Sequence, residues 1–462
     1  MVPYQIAVVG AGTAGAAAAT LLARAGHTVT VFERVAEPRA VGAGLTLQPT
    51  GQAALARLGV LDAITVRGAP IDRLTCVRRG GRPLIDLAYA DVDPRLRGLG
   101  SDFVPALAAR RGLGGLGSDL VPALAARRGL GGLGIHRGVL FETLLAEVRT
   151  TSAIVHCGVA IVGTEVDARG RWLIDATRTR HGPFDLVVAA DGSGSALHTA
   201  GPPTTSRAYP WGALWLVAPD PGFTPERRIW QLVDGCHTLL GFLPTGEAPG
   251  HAGPVVSLFW SIRADRVPAW RAAGLAAWRD AILRLEPRAE PILDTIHDLE
   301  PVLFSQYRDV AMRPWHGDRI VFLGDAAHAT SPQLGQGANL ALIDAVALAD
   351  ALAAGPDLPR ALAAYSAARL RQLQYYQFAT RLLTPLFQGD SRALGWLRDL
   401  AFPTSRWFGW FRRRMVRTMI GVDRGLLRRP LSVGDLLGQL ALPAGSCVRG
   451  DPEPPAPRTM DR

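Results

Sequence analysis

Short runs of apolar residues alternate with longer alanine- and leucine-rich segments in several parts of the chain. Apolar runs of roughly four to eight residues, bounded by glycine or aspartate, predict buried strands, and longer runs at helical spacing predict helices. This succession predicts a parallel sheet with helices on its faces. The predicted strands are Ile6–Val9, Val29–Phe32, Phe184–Ala190 and Arg319–Leu323, and the predicted helices are Ala16–Ala25, Leu340–Leu352 and Leu362–Leu383.

The stretches 70–98 and 200–305 differ from the rest, because they are rich in Trp, Phe, Val and Thr and are interrupted by Pro and Gly. Such composition indicates sheet. We therefore expect a second domain, inserted discontinuously into the first, whose aromatic side chains either fill the core or line an apolar pocket. Its predicted strands are Arg73–Val77, Trp211–Val217, His237–Phe242 and Val255–Ile262, and the aromatic residues are Trp211, Trp215, Trp230, Phe242, Phe259 and Trp260.

A glycine-rich turn, Gly10-Ala-Gly-Thr-Ala-Gly15, separates the first predicted strand from the first predicted helix. Its glycines permit a tight turn, let backbone N–H groups approach a pyrophosphate, and let helix and strand pack closely, so that the helix N-terminus faces the phosphates. The next strand ends at Glu33, at the separation where an acidic residue binds a ribose hydroxyl. The pattern predicts FAD or NAD, with an unphosphorylated ribose. The residues assigned to it are Gly10, Gly12, Ala14, Gly15, Glu33 and Arg34.

The residues at two further strand ends indicate FAD rather than NAD. Asp191-Gly192 follows one predicted strand and Gly324-Asp325 follows another, and open α/β sheets bind ligands at these carboxyl ends. A carboxylate there accepts hydrogen bonds from sugar alcohols, and the ribityl chain of a flavin offers several. Free N–H groups at the start of the following helix suit negative charge on a reduced flavin. The sequence therefore predicts FAD, with Asp191, Gly324, Asp325, Pro332, Gly335, Gly337, Ala338 and Asn339 at its site.

Together with Val41–Gln48 and Ile135–Leu140, these segments closely resemble the class A FAD-dependent monooxygenases. This family comprises aromatic hydroxylases and epoxidases built like para-hydroxybenzoate hydroxylase, and it includes hydroxylases of polyprenyl quinones. The resemblance covers most of residues 4–375. The chain departs from the family pattern at His198, where arginine is usual, and at Thr50, where asparagine is common.

The resemblance also implies roles for single residues. Arg137 matches the family arginine beside the flavin chain, the Asp191 segment is associated with both FAD and NAD(P)H, and Asp325 is associated with the ribityl chain. His328 then accompanies Asp325 as a structural residue rather than as a base. Gln48 and Pro332 are candidates for the mouth of the flavin site, and no catalytic side chain is assigned.

The reaction implied by the resemblance begins when NAD(P)H reduces FAD. Dioxygen then adds at flavin C4a, and the hydroperoxide transfers one oxygen atom to an electron-rich carbon by hydroxylation or epoxidation. Because the cofactor carries this chemistry, neither a metal nor a protein nucleophile is required. The aromatic side chains of the inserted segments favour an apolar aromatic or polyene substrate.

Two other functions remain open. Flavin-dependent alkene reductases of the geranylgeranyl reductase type share the glycine and Gly-Asp segments, whereas the Trp-x-Trp-x-Ile-Pro segment of flavin halogenases is absent from this chain. The third hypothesis is a flavin-binding subunit without turnover. The choice between NADH and NADPH and the oligomeric state are not determined by the sequence.

A tandem duplication occupies residues 101–134. Ser101–Gly117 recurs as Ser118–Gly134 with Phe103 replaced by Leu120 as the only change. Each copy has a serine N-cap, a short apolar run and a glycine stop, which predicts two short helices in a connection near the flavin mouth. The duplication is either a slippage product tolerated at the surface or a functional lid.

Composition restricts the class of protein further. The 462 residues are 48% hydrophobic, and the formal charge of +10 comes from arginine alone, since the chain has no lysine. The arginines are dispersed between apolar segments, which argues against a nucleic-acid-binding module. Four separate cysteines, Cys76, Cys157, Cys236 and Cys447, suggest neither a disulfide nor a metal site. The N-terminus begins a strand without a basic leader, so we expect a cytoplasmic protein.

Residues 407–417 place aromatic side chains beside four arginines. This mixture either lies in a membrane interface, as in the polyprenyl-quinone hydroxylases, or docks on the protein as an amphipathic helix. We therefore predict an α/β fold: a Rossmann-like FAD-binding domain with a discontinuously inserted, sheet-containing substrate domain and a helical C-terminal region. The predicted ranges are 1–70, 135–200 and 301–375 for the FAD-binding domain, 71–100 and 201–300 for the substrate domain, 376–442 for the helical region and 443–462 for a disordered tail.

Overall fold

The computed structural model describes residues 3–40, 42–92 and 131–425. The strands, in chain order, are β1 Gln5–Val9, β2 Thr28–Glu33, β3 Gly44–Leu47, β4 Ala69–Ile71, β5 Arg73–Arg78, β6 Pro83–Ala88, β7 Gly132–His136, β8 Ile154–Cys157, β9 Ile161–Asp167, β10 Gly170–Asp175, β11 Arg180–Phe184, β12 Leu186–Ala189, β13 Thr204–Pro219, β14 Arg228–Asp234, β15 Thr238–Gly246, β16 Val255–Arg263, β17 Leu303–Met312, β18 His316–Gly317 and β19 Ile320–Phe322. The α-helices are α1 Thr13–Arg24, α2 Pro49–Leu58, α3 Leu61–Arg67, α4 Arg137–Arg149, α5 Val267–Leu283, α6 Glu290–Leu293, α7 Asp325–His328, α8 Gly337–Ala354, α9 Leu358–Phe387, α10 Arg392–Ala401 and α11 Gly409–Ile420.

A six-stranded sheet in the order β18-β19-β12-β1-β2-β8 forms the centre of the half predicted to bind the nucleotide. The strands from β19 to β8 are parallel, and only the short edge strand β18 runs antiparallel. Ile6, Ala7 and Val8 of β1 are fully buried, as expected for a strand covered on both faces. Because β1, β12 and β19 are parallel neighbours, their carboxyl ends lie at one edge of the sheet.

Helices α1 and α8 pack against each other beside this sheet, and α9 packs on α8. By length and composition, α8 is the one helix among the described residues that is apolar enough to cross a membrane. It lies in the core instead, and its Asp344 is fully buried. Helix α9 begins at Leu358 and ends at Phe387, so it extends beyond both ends of the predicted helix 362–383.

A seven-stranded sheet in the order β17-β13-β16-β15-β14-β5-β6 forms the inserted half and contains all four strands predicted for it. Its pairings are antiparallel except between β14 and β5. Strand β17 pairs with β13, although its residues fall within the range 301–375 assigned to the FAD-binding domain. Of the six aromatic residues, Phe242 and Trp211 are buried, and Phe242 stacks on Phe223 with ring centroids 4.7 Å apart. Trp215, Trp230, Phe259 and Trp260 are half-buried.

Two three-stranded sheets, β3-β7-β4 and β11-β10-β9, complete the fold. Strand β7 begins at Gly132, so the last three residues of the duplication are part of a strand rather than of a connection. A side chain at Gly132 would collide with the Tyr89 hydroxyl, and one at Gly134 with the Pro244 carbonyl. The two helices predicted within the duplication lie outside the described residues.

This position of β7 makes deletion of the duplication testable. Removing residues 101–134 joins Gly98-Leu99-Gly100 to Ile135, which restores the Gly-Leu-Gly sequence that β7 requires. We expect the shortened protein to fold, to retain its FAD content and to keep its Tm within a few degrees, because the length of a connection has little effect on stability. Absorbance at the flavin band and thermal unfolding of the two proteins measure this. Loss of FAD from a shortened protein that remains folded would show that the duplication serves the flavin site.

Three cysteines in the described part of the chain are free thiols: Cys76 and Cys236 are buried and Cys157 is half-buried. Burial raises the pKa of the Cys76 thiol to about 12, so that this thiol is neutral and unreactive at physiological pH. Cys447 and the predicted tail 443–462 lie outside the described residues.

Candidate flavin site

Three turns meet at the carboxyl edge of the six-stranded sheet. Gly10, after β1, has a φ of +95°, and a Cβ there would lie 2.6 Å from the carbonyl oxygen of Ala190, after β12. Gly324, after β19, has a φ of +58°, and a Cβ there would lie 3.1 Å from Ala14 and 3.2 Å from Ala341. A Cβ on Gly15 would collide with Gly10. These three glycines are therefore required by the packing of the chain itself, and they bring the predicted segments together.

Gly12 and Gly337 are different, because nothing in the described chain requires glycine there. Gly12 has an ordinary φ of −66°, and a Cβ added to it would meet no heavy atom within 4 Å apart from its chain neighbours. A Cβ on Gly337 would meet only Asp325 Oδ1, at 3.9 Å. These residues stand at the starts of α1 and α8, where the first N–H groups have no partner within the helix. Bare backbone facing open space at two helix N-termini fits a bound anionic or electron-rich group.

Glu33 connects the end of β2 to the glycine turn. Its Oε2 accepts a hydrogen bond from the Ala11 N–H at 2.8 Å, and its Oε1 accepts one from the Val35 N–H at 3.0 Å. The carboxylate is half-buried and retains lone pairs for a sugar hydroxyl, since a carboxylate accepts about four hydrogen bonds. The neighbouring Arg34 is exposed.

Arg137 begins α4 and is exposed. Its N–H donates to the Ala43 carbonyl at 3.0 Å, and its side chain crosses Gly42, where a Cβ would lie 3.3 Å from Arg137 Cβ and Cδ. Gly42 has a φ of +120°, which favours glycine for that reason as well. The absence of a side chain at Gly42 therefore leaves room for the Arg137 side chain to pass over the loop before β3.

Asp191 has one carboxylate oxygen without a partner. Its Oδ2 accepts a hydrogen bond from the Ala196 N–H at 3.1 Å, whereas its Oδ1 is buried and accepts none from the described residues. Burial raises the pKa of Asp191, and the Ser195 side chain and the Ala196 N–H, as hydrogen-bond donors, oppose that shift. Buried polar atoms are nearly always hydrogen-bonded, so this oxygen fits a donor on a bound ligand.

His198, at the position where the family usually has arginine, contacts the chain rather than open space. Its Nε2 lies 2.8 Å from the Ala326 carbonyl oxygen in α7, and its ring is 6.2 Å from that of Phe322. The histidine thus ties the Asp191 segment to the Gly324-Asp325 segment. Asp325 itself is exposed at the first position of α7.

The loop before α8 carries the remaining predicted residues. Pro332 is exposed and starts a short 3-10 helix, Pro332–Leu334, which ends at Gly335 in the left-handed conformation with a φ of +59°. Helix α8 begins at Gly337, three residues before the predicted start, so Gly337, Ala338 and Asn339 form its first turn. Their N–H groups are the ones that the helix leaves without intrahelical partners.

The side chain of Asn339 is fully occupied by the protein. Its Oδ1 accepts from the Gln48 N–H at 2.8 Å, and its Nδ2 donates to the carbonyls of Thr46 and Gly335 at 3.0 and 2.9 Å. Only its backbone N–H is left for a cofactor. Gln48 is 2% exposed, and its Oε1 accepts from the Tyr89 hydroxyl at 2.7 Å.

Sequence reasoning missed a buried ionic cluster below Gly324. Asp344 accepts hydrogen bonds from the Gly324 N–H at 2.9 Å, from His328 Nε2 at 2.6 Å and from Arg369 Nε at 2.6 Å. Burial by itself raises the pKa of Asp344, but the charges of His328 and Arg369 outweigh it, so the pKa lies below its ordinary value. His328 is thus bonded to Asp344, and its structural role beside Asp325 stays a prediction. A signal existed in the sequence, since Asp344 is an acidic residue within an otherwise apolar helical run.

The end of α11 is bonded to this region through a group of backbone carbonyls that we call the C-terminal clamp, Thr418–Gly421. Gln336 donates to the Met419 carbonyl at 2.6 Å, Thr50 to Ile420 at 3.2 Å and Gln372 to Gly421 at 2.7 Å. Thr50, the second departure from the family pattern, is thus used to hold the C-terminal region. No sequence pattern predicts these contacts, because each joins residues far apart in the chain.

Within the described residues, no group of three or more His, Cys, Asp and Glu side chains is arranged to hold a metal ion. The polar groups at the sheet edge are instead hydrogen-bond donors, the backbone N–H groups at two helix starts, and hydrogen-bond acceptors, the carboxylates at three strand ends. Such a set suits a dinucleotide with a pyrophosphate and several hydroxyl groups.

Comparison with known proteins agrees with this geometry. The family described as "FAD binding domain" matches residues 3–111 and 175–376. Kynurenine 3-monooxygenase of Salinispora arenicola is 30% identical over 397 residues, covering 79% of this chain and 76% of that protein. A putative 2-heptyl-3-hydroxy-4(1H)-quinolone synthase of Rhodococcus erythropolis is 29% identical over 376 residues, covering 80% of this chain and 85% of that protein.

Among solved structures, Klebsiella pneumoniae HpxO in complex with FAD and uric acid superimposes with a TM-score of 0.69 at 19% identity, covering 90% of this chain and 97% of that one. This likeness shows the shared fold. The chain belongs to the FAD-binding-domain family, as one of its FAD-dependent monooxygenases. The predicted fold class, cofactor and enzyme class are confirmed, while the roles of the individual site residues stay predictions.

Proposed function

We propose that this enzyme uses NAD(P)H and O2 to hydroxylate or epoxidise an uncharged, apolar aromatic or polyene substrate. One observation carries the proposal. Gly12 and Gly337 leave the backbone N–H groups at the starts of α1 and α8 open, and the buried Asp191 Oδ1 has no partner in the described chain. The kynurenine and quinolone relatives, named for aromatic compounds, support an aromatic substrate.

The surroundings of the Pro332 turn favour an uncharged substrate. The turn is held by neutral groups, because Ser331 Oγ lies 2.5 Å from Thr384 Oγ1 and Gln333 donates to Gln388 at 2.8 Å. Burial raises the pKa of the nearby Tyr307, which contacts Gln388, to about 12, so that its phenol is neutral. These neutral groups would not compensate a substrate carboxylate for the hydration that it loses on binding.

When bound, FAD supplies the electron transfer from the nicotinamide and the activation of O2. The residues of the chain hold and orient it. In this proposal the N-terminus of α1 at Gly12 binds the pyrophosphate, Glu33 binds the ribose, and Asp325 binds the ribityl chain. The first turn of α8 directs N–H groups at the flavin ring, where they stabilise negative charge.

A substrate panel tests the proposal. We expect the purified protein to be yellow, and to consume NAD(P)H and O2 in equal amounts with a neutral phenol or polyene, at a rate at least about tenfold above that without substrate. Preferred turnover of small anionic benzoates would contradict the substrate class. Reduction of an alkene without O2 uptake would instead support the alkene reductase, and FAD binding without any turnover would support the non-catalytic subunit.

We also propose that the enzyme is cytoplasmic and touches a membrane peripherally through residues 407–417. Trp407, Phe408 and Trp410 are 76%, 54% and 65% exposed at the start of α11. Arg412 and Arg414 in the same segment pair with Asp91 and Asp423 of the protein. The aromatic rings rather than these arginines are therefore the groups available for a lipid interface.

A further inference from the structure

Helix α10 buries a charged residue and exposes its apolar ones, the reverse of the usual arrangement. Arg398 is 1% exposed, and its guanidinium donates to the carbonyls of Gly235 and Leu386 and to Asp399. Three large apolar residues of the same helix point outwards, with Trp396 80%, Leu397 56% and Leu400 75% exposed. A helix that docks only on its own protein places its apolar stripe inside. The opposite arrangement indicates a surface that contacts something else.

This apolar face continues onto the start of α11. We call the combined surface the aromatic ridge, and its members are Trp396, Leu397, Leu400, Trp407, Phe408 and Trp410. Each is at least 54% exposed, and they fall within one short stretch of chain. Three of them are tryptophans, the residue enriched at membrane–water interfaces.

An arginine-rich cavity of about 300 Å³ lies beside α10. Arg398 and Asp399 of α10 line it together with residues of the β5–β6 turn, and Arg78 and Asp399 approach to 3.6 Å across it. Its charged lining consists of Arg78, Arg79, Arg82 and Arg398 against Asp234 and Asp399, which leaves a formal charge of +2. Arg79 pairs with Asp234 at 3.2 Å but stays 64% exposed, so a phosphate can still reach its guanidinium. Helix α10 thus carries its part of the aromatic ridge on its outward face and contributes Arg398 and Asp399 to the cationic cavity.

We propose that the aromatic ridge and the arginine cavity together form a docking surface for an anionic phospholipid bilayer. The tryptophan rings enter the headgroup region, and the cavity binds a lipid phosphate. A second copy of the chain is a poorer occupant, because it would bring two positively charged cavities together. The inference rests on the membrane contact proposed for residues 407–417 and enlarges it to α10 and the β5–β6 turn.

Vesicle sedimentation of the FAD-loaded full chain tests this surface. We expect binding to phosphatidylcholine vesicles that contain about 30% phosphatidylglycerol, weaker binding to phosphatidylcholine alone, and loss of the difference at high salt. Trp396→Ser with Leu400→Ser should weaken binding about tenfold. Arg79→Gln with Arg82→Gln should weaken it about tenfold on the anionic vesicles only.

Matched controls are Val66→Ser and Arg39→Gln, which alter exposed residues elsewhere and should leave vesicle binding unchanged. Trp407→Ser with Trp410→Ser separates the two proposals. If only this variant weakens binding, the contact through 407–417 stands and the enlarged surface is overturned. Absence of vesicle binding by the unaltered enzyme overturns both, and a dimer that the Trp396→Ser and Leu400→Ser double variant dissociates assigns the ridge to self-association instead.

Discussion

Gly12→Ala and Gly337→Ala should each lower the affinity for FAD by roughly thirtyfold or more. Each substitution adds a methyl group at a helix N-terminus. The methyl group would barely contact the protein itself, but it would occupy the space where the cofactor is proposed to bind. Loss of one charge-assisted hydrogen bond costs about 1.5–3 kcal/mol, and steric displacement adds to this. Apoprotein stability should change by no more than about 1 kcal/mol, the usual range for a helix-cap substitution.

Titrating the apoprotein with FAD measures the affinity. Unfolding the same samples in urea measures their stability. Gly163→Ala is a matched control, because that glycine, in β9, also has open space around its Cβ position and has no positive φ. It should bind FAD like the unaltered protein. If Gly12→Ala also bound FAD normally, the assignment of the pyrophosphate to the start of α1 would be wrong.

Asp344→Asn should lower the free energy of unfolding by about 3–5 kcal/mol. The substitution leaves Arg369 as a buried charge without its counterion, and breaking a buried ion pair from one side has an effect of this size. Because the pKa of Asp344 lies below its ordinary value, its stabilising contribution is present at neutral pH and is lost as pH falls below that ordinary value. The difference between the two proteins should therefore shrink in acid.

The same variant should also weaken FAD binding, since Asp344 holds the N–H of Gly324 directly before Asp325. Asp175→Asn is the control for this second effect. Asp175 accepts a hydrogen bond from His181 at 2.9 Å in the separate β11-β10-β9 sheet, so its loss should destabilise the protein without changing the Kd for FAD. Unfolding curves from pH 3 to pH 8, with FAD titrations at a temperature where both variants are folded, distinguish the outcomes.

The meeting of three turns at the carboxyl edge of the sheet was predictable because its signals are local. Gly10, Asp191 and Gly324 each follow a buried apolar run directly, and parallel strands necessarily carry such turns to one edge. The inserted sheet was predicted in outline for the same reason. Its edge strand β17 was assigned to the other domain, because alternation along a strand does not reveal which strand it pairs with.

The supports of the site were not predictable, because they are long-range. Asn339 contacts the backbone of Gln48 across 291 positions of the chain, and Thr50 contacts Ile420 across 370. Neither contact leaves a pattern that a window of neighbouring residues contains. The exposure of Trp396 in α10 was not predictable for a related reason. A periodic apolar stripe predicts one face of a helix, but it does not predict whether that face is buried in the protein or exposed.

The C-terminal clamp has a consequence for how the enzyme is made. The loop before α8 is hydrogen-bonded to Met419 through Gln336, and α9 is bonded to Gly421 through Gln372. Chains emerge from the ribosome N-terminus first, so the glycine turn after β1 is synthesised long before these carbonyls exist. A nascent chain therefore cannot form these bonds until translation passes residue 421, so we expect capture of FAD to be a late step in biogenesis.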